Sequence, residues 1–206
     1  MDQLRAVLGE AQARGFLGAA PLDEHVEHAR GFVDALGAAV FAGAVVVDLG
    51  SGGGLPGLIV ADEVPDARVQ LLDGSAVRSA FLRWAVEVLG WDARVSVLGA
   101  RAEEVGRRSA IRSSADIVVA RGFASPGVTA ECAAPMLRVG GWLVVSDPPG
   151  GGAEGERWPV DGCRSVGLVP ERHLCAPRAY TVLQQVAPCP DRYPRRVGIP
   201  AKRPLF

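Results

Sequence analysis

The spacing of hydrophobic residues changes early in the chain. Residues 2–20 carry apolar side chains at helical spacing until a break around Gly15–Pro21. A second helix is predicted after this break, over residues 22–36. Beyond these segments, short runs rich in valine, leucine and isoleucine alternate with helical stretches, which is typical of a parallel sheet with crossover helices. We therefore predict a helical cap over residues 1–43 and an α/β domain over residues 44–190.

Seven apolar runs in the α/β region are predicted to be strands. They are Val45–Asp48, Arg68–Asp73, Val95–Leu98, Ile117–Ala120, Trp142–Ser146, Ser165–Val169 and Tyr180–Val186. Helices over 56–64 and 77–89 follow the first two runs, a Gly140-Gly141 turn precedes the fifth, and a loop over 148–156 follows it. The last two runs have no long helical segment between them, so we expect a hairpin. This pattern predicts a seven-stranded, mostly parallel sheet with helices on both faces.

Residues 45–57 combine a strand, a glycine-rich loop and the start of a helix. Asp48 closes the strand, and four glycines lie within the loop Gly50–Gly54 that follows it. Glycine has no Cβ to obstruct a ligand, and a helix that starts at Pro56 offers unpaired N–H groups behind the loop. The stretch therefore predicts a site for a nucleotide-type cofactor.

Two cofactors are compatible with this loop. Its glycines satisfy the G-x-G-x-x-G pattern, and Asp73 follows at the distance that a dinucleotide site requires. However, Asp48-x-Gly50-x-Gly52 resembles motif I of the S-adenosylmethionine (SAM) methyltransferases. A buried carboxylate suits the cationic methionine part of SAM, whereas it repels a pyrophosphate. The strand number also favours SAM over NAD, because a dinucleotide domain normally has about six parallel strands.

Further candidates lie where the predicted strands end, because ligands of open α/β sheets bind beyond these carboxyl ends. Asp73 is placed to accept hydrogen bonds from ribose hydroxyls or, alternatively, to cap the next helix. Ala102 and Glu103 are placed at the edge of an adenine ring, although Glu103 equally fits a solvated helix start. Arg121 ends a buried strand, where an arginine is costly unless it is paired or functional. We expect a function, with an ion pair to Asp48 or Glu103 as the alternative.

Composition narrows the partners that this chain can have. A net charge of −1 gives no general attraction to nucleic acid, so an RNA contact needs a local basic patch. The four cysteines form no C-x-x-C pair, which predicts reduced thiols and no metal site. The sequence shows no signal peptide and no apolar stretch long enough for a bilayer. We expect a cytoplasmic monomer without membrane contact.

The basic patch that an RNA contact needs is found in residues 191–206, an irregular stretch with several prolines. Arg195, Arg196, Lys202 and Arg203 are expected to contact RNA phosphates. The alternative is a proline-rich arm that packs on its own domain.

Five motifs, in this order, carry a resemblance to a known family. They are Asp48-x-Gly50-x-Gly52-x-Gly54-Leu55-Pro56-Gly57, Leu71-Leu72-Asp73, Arg78-x-x-Phe81-Leu82, Arg101-Ala102-Glu103-Glu104 and Arg121-x-Phe123-Ala124-Ser125. Together they resemble the RsmG or GidB family, the guanine-N7 methyltransferases of small-subunit (16S) rRNA. The resemblance implies a class I SAM-dependent methyltransferase fold (Rossmann-like), SAM as cofactor, and small-subunit rRNA or a pre-assembled small ribosomal subunit as partner.

The resemblance also implies which residues contact the cofactor, namely Gly50, Leu55, Ala102, Glu103 and Arg121. Together with the residues argued from the strand ends and the loop, the predicted cofactor site comprises Asp48, Gly50, Gly52, Gly54, Leu55, Asp73, Ala102, Glu103 and Arg121.

The segment before the first strand departs from the family pattern. Gly31 and Phe32 stand where the family has Asp-Ser after a histidine that matches His28, and Phe16-Leu17-Gly18 stands in place of Asn-Leu-Thr. Two alternatives therefore stay open. One is a SAM methyltransferase for a small molecule or another RNA site, and the other is a non-catalytic SAM-fold protein that binds RNA or another partner.

The expected reaction is an in-line displacement that transfers a methyl group. Guanine N7 has an exposed lone pair and needs no general base, so catalysis depends on holding it opposite the methyl group. We predict that Arg121, the candidate catalytic residue, has a positioning role near cofactor and substrate.

Overall fold

The computed structural model describes residues 2–148, 157–175 and 178–206, so most of the predicted loop over 148–156 lies outside the described residues. The helices are α1 (Asp2–Ala13), α2 (Leu22–Leu36), α3 (Ala38–Phe41), α4 (Gly57–Glu63), α5 (Ala76–Leu89), α6 (Ala102–Val105), α7 (Pro126–Ala133), α8 (Val160–Arg164) and α9 (Ile199–Lys202). The strands are β1 (Val45–Leu49), β2 (Arg68–Leu72), β3 (Val95–Leu98), β4 (Ala115–Ala120), β5 (Leu137–Ser146), β6 (Leu168–Leu174) and β7 (Tyr180–Gln185).

The strands form one seven-stranded sheet in the order β3-β2-β1-β4-β5-β7-β6. Strands β1 to β5 pair with their neighbours in parallel, whereas β7 pairs antiparallel with both β5 and β6. The predicted hairpin of the last two strands is therefore confirmed, and β7 lies between β5 and β6. The strand order reverses between β1 and β4, which is where open α/β sheets form their ligand crevice.

Helices cover both faces of the sheet and bury two hydrophobic cores. One core joins α1, α2, α4 and α5 to the sheet and includes the buried rings of Phe32, Phe41 and Phe81. The other joins α6, α7 and α8 and includes Tyr193 from the C-terminal stretch. Both ends of the chain thus pack into the cores of the sheet itself. The fold class is as predicted, while the division at residues 43/44 and 190/191 stays a prediction.

The fifth strand differs from its prediction. β5 begins at Leu137 and passes through Gly140 and Gly141, where the sequence predicts a turn. Its register against β4 shifts between Ala115 and Ile117. Gly140 has a φ of +83°, and a Cβ on Gly141 would lie 2.9 Å from a carbonyl oxygen, so both positions require glycine. The pair therefore makes an irregularity inside a longer strand.

The sixth strand begins at Leu168, although the sequence predicts Ser165 as its first residue. The short helix α8 ends just before Ser165, whose N–H donates back to Asp161. Gly167 has a φ of +85° and leaves no room for a Cβ, so the turn from helix to strand ends there.

Candidate cofactor and substrate site

The glycine loop after β1 borders a cleft of about 610 Å³. Gly50, Gly52 and Gly54 have φ values of +79°, +56° and +99°, a region that other residues rarely adopt. A Cβ on Gly50 would also lie 2.6 Å from Cδ2 of Phe123. The local sequence therefore produces a tight loop whose main chain reaches the cleft without intervening side chains.

Most of the predicted cofactor residues meet at this cleft. The ones that line it are Gly50, Gly52, Leu55, Asp73, Ala102, Glu103 and Arg121. Asp48 and Gly54 do not line the cleft, although the sequence predicts them for the same site. The lining also includes Phe16, Arg78 and Phe123, which were not predicted for the cofactor site.

Asp48 is buried at the end of β1 and supports the loop from the sheet side. Its Oδ2 accepts a hydrogen bond from Gly57 N–H at 2.9 Å, which fixes the start of α4. Its Oδ1 has no hydrogen-bond partner among the described residues. Burial raises the pKa of this carboxyl to about 7, while the Gly57 hydrogen bond, Ser51 and the Arg121 charge act in the opposite direction.

Asp73 connects the glycine loop to α5. Its Oδ2 accepts hydrogen bonds from Gly52 N–H at 3.0 Å and Arg78 Nε at 2.9 Å, and its Oδ1 accepts one from Ser75 N–H at 2.8 Å. The N-cap of α5 is Ser75, whose side chain accepts from Arg78 N–H, so Asp73 is not itself the helix cap. A carboxylate offers about four acceptor positions, which leaves Oδ1 able to accept from a ligand hydroxyl.

Ala102 and Glu103 begin α6 at the edge of the same cleft. Glu103 is only 5% exposed, so the alternative of a solvated helix start does not describe it. Its Oε1 accepts a hydrogen bond from Gly198 N–H at 3.0 Å, and its Oε2 lies 3.8 Å from Arg101 Nε.

Arg121 lies just after β4, where the residue is half-buried and its Nη1 is fully buried. None of the ion pairs in the described part of the chain involves it, so the alternative of an ion pair with Asp48 or Glu103 does not describe it, and its functional role stays a prediction. Its Nη1 likewise lacks a hydrogen-bond partner among the described residues. Burial lowers the pKa of this guanidinium, and the Asp48 charge acts against that shift.

Two further groups, His28 and Tyr180, lie close enough to Arg121 for its charge to lower their pKa values. Tyr180 donates its hydroxyl hydrogen bond to the carbonyl of His28 at 2.6 Å. Burial, followed by the charges of Arg121 and Arg178, lowers the pKa of His28 to about 4. No sequence signal marks Tyr180 for this place, because β7 reaches it only by inserting beside β5.

The residues predicted to bind RNA have two different environments. Arg195 is bound to Glu131, with 2.6 Å between Nη2 and Oε2. Arg196, Lys202 and Arg203 are exposed. The packed-arm alternative therefore describes Arg195, while the expected phosphate contacts stay predictions for the other three.

Three other predictions concern the cysteines, metal sites and membrane-spanning helices. All four cysteines are free thiols, as predicted. In the described ranges, no group of three or more histidine, cysteine, aspartate or glutamate side chains could hold a metal ion. Among the helices described, none combines the length and hydropathy needed to cross a bilayer.

The donors and acceptors around the cleft fit SAM. The unpaired Oδ1 of Asp48 is an acceptor that favours a cationic group, and Asp73 has room to accept from a ribose hydroxyl. The loop glycines leave the main chain open to the cleft, which Ala102 and Glu103 also line, and their contact with the adenine ring stays a prediction. The buried acid Asp48 disfavours the pyrophosphate of NAD, whereas Asp73 is compatible with the ribose of either cofactor.

Comparisons with known proteins identify the family. The family model for rRNA small subunit methyltransferase G (GidB) matches residues 14–146. The ribosomal RNA small subunit methyltransferase G of Rubrobacter xylanophilus is 41% identical over 171 residues, which are 78% of this chain and 64% of that protein. The protein of the same name from Syntrophomonas wolfei is 34% identical over 193 residues, which are 89% of this chain and 86% of that protein. The chain thus spans just under two thirds of the Rubrobacter relative.

Solved structures share the fold. A geranyl diphosphate methyltransferase in complex with SAM superposes with a TM-score of 0.57 at 14% identity, covering 78% of this chain and 85% of that chain. The same enzyme with GPP and sinefungin gives 0.56 at 15% identity over 78% of this chain and 77% of that chain. The predicted fold is confirmed, and this chain belongs to the rRNA small subunit methyltransferase G family, which agrees with the predicted enzyme class, a SAM-dependent methyltransferase.

Proposed function

We propose that this chain transfers the methyl group of SAM to N7 of a guanine in small-subunit rRNA, either free or in a pre-assembled small ribosomal subunit. We further propose that the protein acts as a monomer, needs no metal and meets its substrate in the cytoplasm. The observation that carries it is Arg121 in the cleft, a half-buried residue whose buried Nη1 lacks a partner among the described residues. An acceptor atom of the substrate base supplies the hydrogen bond that this nitrogen lacks.

The reaction requires chiefly that the protein hold the guanine base in position against the methyl group. SAM supplies, when bound, a methyl group on a positively charged sulfur. Guanine presents N7 and O6 as acceptors on one edge, so a donor on O6 holds N7 in place without blocking its lone pair. Arg121 is that donor, and Phe123 in the same cleft offers an aromatic face for the base. Because N7 carries no proton, no general base is required.

His28 contributes a neutral ring beside Arg121. Its pKa of about 4 keeps the imidazole uncharged at neutral pH, so it adds no repulsion against the arginine. Its Nε2 is buried without a partner in the described part of the chain. Because His28 does not line the cleft, we assign it an indirect part, that of keeping the surroundings of Arg121 free of a second positive charge.

Exposed cations near the C-terminus support an RNA substrate. Arg196, Lys202 and Arg203 give an otherwise nearly neutral protein a local positive surface. Each phosphate that they neutralise strengthens binding and makes it depend on salt. Arg195 contributes to this surface by anchoring the segment through Glu131.

A methyl acceptor other than the family guanine is the second candidate, favoured by one local observation. A Cβ on Gly31 would lie 2.5 Å from Cζ of Tyr180, so a side chain at this position would displace the tyrosine. The acid of the family pattern is thus replaced by a glycine that makes room for Tyr180. This change alters the packing around Tyr180, whose hydroxyl donates to the carbonyl of His28.

The test uses labelled SAM, the purified protein and two acceptors: protein-free small-subunit rRNA and intact small subunits from a strain without its own guanine-N7 enzyme. We expect methyl incorporation at one guanine, mapped by mass spectrometry of RNA fragments, and its loss in an Asp73→Ala variant. SAM binding without incorporation into either acceptor would instead support the second candidate.

A further inference from the structure

The last residues of the chain, 191–206, form an arm that is anchored along the cleft side of the molecule. Arg112 donates hydrogen bonds to the carbonyls of Tyr193 at 2.9 Å and Cys189 at 2.8 Å, at the base of the arm. At its other end, the ring of Phe206 packs edge to face with Trp158, with 6.4 Å between centroids. The arm is therefore fixed at both ends.

The middle of the arm is held by a buried carboxylate. Glu131 in α7 is fully buried, and it accepts hydrogen bonds from the main-chain N–H of Arg195 at 2.8 Å and from its guanidinium at 2.6–3.1 Å. A buried carboxylate is strongly destabilising when it loses its partner, so this pair favours the packed position of the arm.

This packing brings the arm into the cofactor cleft. Ala201 is one of the residues that line the cleft. Gly198 N–H donates to Oε1 of Glu103 at 3.0 Å, whereas the Arg101 guanidinium approaches Oε2 only to 3.8 Å. The hydrogen bond from Gly198 is the one that fixes the Glu103 carboxylate among the contacts of the described residues.

We propose that the arm is a wall of the cofactor cleft and that Gly198 is a positioning residue, whose N–H holds Glu103 in the orientation that binds SAM. The inference rests on the proposed function for the identity of the cofactor. It gives the C-terminal stretch a second purpose beside RNA contact, because the same segment that presents Arg196, Lys202 and Arg203 completes the cofactor site.

The backbone at Gly198 offers a direct test. Gly198 has a φ of +79°, and no atom lies within 4 Å of the position of a Cβ, so a substitution there tests conformation rather than space. Valine is strongly disfavoured at this φ, whereas asparagine tolerates it. Gly43 is the matched control, because it has a φ of +68° and equally open surroundings before β1.

The experiment measures calorimetric affinity for S-adenosylhomocysteine, without RNA, together with thermal unfolding. We expect Gly198→Val to weaken binding about fivefold or more. Gly198→Asn should bind with an affinity within about twofold of that of the unmodified chain. Gly43→Val should lower the unfolding temperature without changing the affinity. Arg195→Lys, which loosens the anchor but leaves Glu131 a cationic partner, should weaken binding in the same direction.

Two outcomes would overturn the inference in different ways. Equal affinity in the unmodified chain, Gly198→Val and Arg195→Lys would remove the arm from the cofactor site while leaving the proposed function intact. Failure of the unmodified chain to bind S-adenosylhomocysteine would remove the proposed cofactor and the arm proposal together.

Discussion

The two sides of the cleft differ in how their buried polar atoms are paired. On the glycine-loop side, the carboxylate of Asp73 accepts three hydrogen bonds from the chain itself. At Arg121, which also lines the cleft, Nη1 has no partner among the described residues, and neither has Nε2 of His28 in α2, which does not line the cleft. Asp73 is thus satisfied within the protein, whereas Arg121, His28 and one oxygen of Asp48 are not.

This difference separates a preorganised binding surface from one that needs its ligand. A loop whose donors and acceptors already fix its shape loses little freedom when a cofactor binds. A buried donor without a partner carries a desolvation cost that a substrate can remove. We therefore expect changes on the loop side to act on cofactor affinity, and changes on the Arg121 side to act on turnover.

The largest effect is expected for Asp73→Ala. The change leaves Gly52 N–H, Ser75 N–H and the Arg78 guanidinium without their shared acceptor and loosens the loop against α5. We expect SAM affinity to fall about 100-fold, or about 3 kcal/mol, measured by calorimetry.

Asp66→Ala is the control for this change, because it removes an exposed acid from the turn before β2. It should leave SAM affinity unchanged. Equal affinities in Asp73→Ala and Asp66→Ala would show that the loop does not depend on its internal hydrogen bonds.

Arg121→Lys tests the other side of the cleft. Lysine keeps the positive charge but loses the planar fork that holds an acceptor edge. We expect kcat/KM for RNA methylation to fall roughly 30-fold, while S-adenosylhomocysteine affinity stays within about threefold. A loss confined to cofactor affinity would place Arg121 on the cofactor side and erase the contrast.

The positions of the glycine loop and Asp73 at the cleft could be predicted because they are encoded locally. Glycines at fixed spacing, an acid at a strand end and a helix start lie within a short stretch, and the sheet places them together. Arg121 was predictable for the same reason, as a charged residue at the end of a buried strand.

Contacts between distant parts of the chain could not be predicted in this way. The Tyr180 hydroxyl reaches His28 only because β7 inserts next to β5, and no local pattern reports that insertion. Similarly, basic residues near the C-terminus predict a charged surface, but they do not reveal that Arg195 meets a buried Glu131 in α7. Such pairs depend on the path of the chain in three dimensions.

Asp48 gives a smaller effect that depends on pH. Its pKa of about 7 means that the carboxyl gains its charge between about pH 6 and pH 8, and the ionised form favours a cationic ligand. We expect SAM affinity to rise up to about tenfold over this interval. Asp48→Asn keeps an acceptor for Gly57 N–H but cannot ionise, so its slope reports only the titration of the ligand. Parallel slopes in the two proteins would rule out this role for Asp48.

The smallest effect concerns stability and the neutral imidazole of His28. The folded protein lowers its pKa to about 4 from an ordinary value of 6.5, so the unfolded chain binds more protons between these values. The stability that comes from keeping His28 neutral is therefore fully present above pH 6.5 and is lost as the pH falls through 4.

In denaturant titrations at pH 7 and pH 4, we expect the unmodified chain to lose about 1 kcal/mol more than His28→Gln, a figure reduced from the full shift because the side chain is only partly buried. His25→Gln, one turn earlier in α2, controls for replacing a histidine on this helix. If His28→Gln lost as much stability as the unmodified chain, His28 would not be held neutral beside Arg121. The surroundings of Arg121 would then be more polar than the lack of hydrogen-bond partners indicates, and the contrast with the glycine loop would weaken.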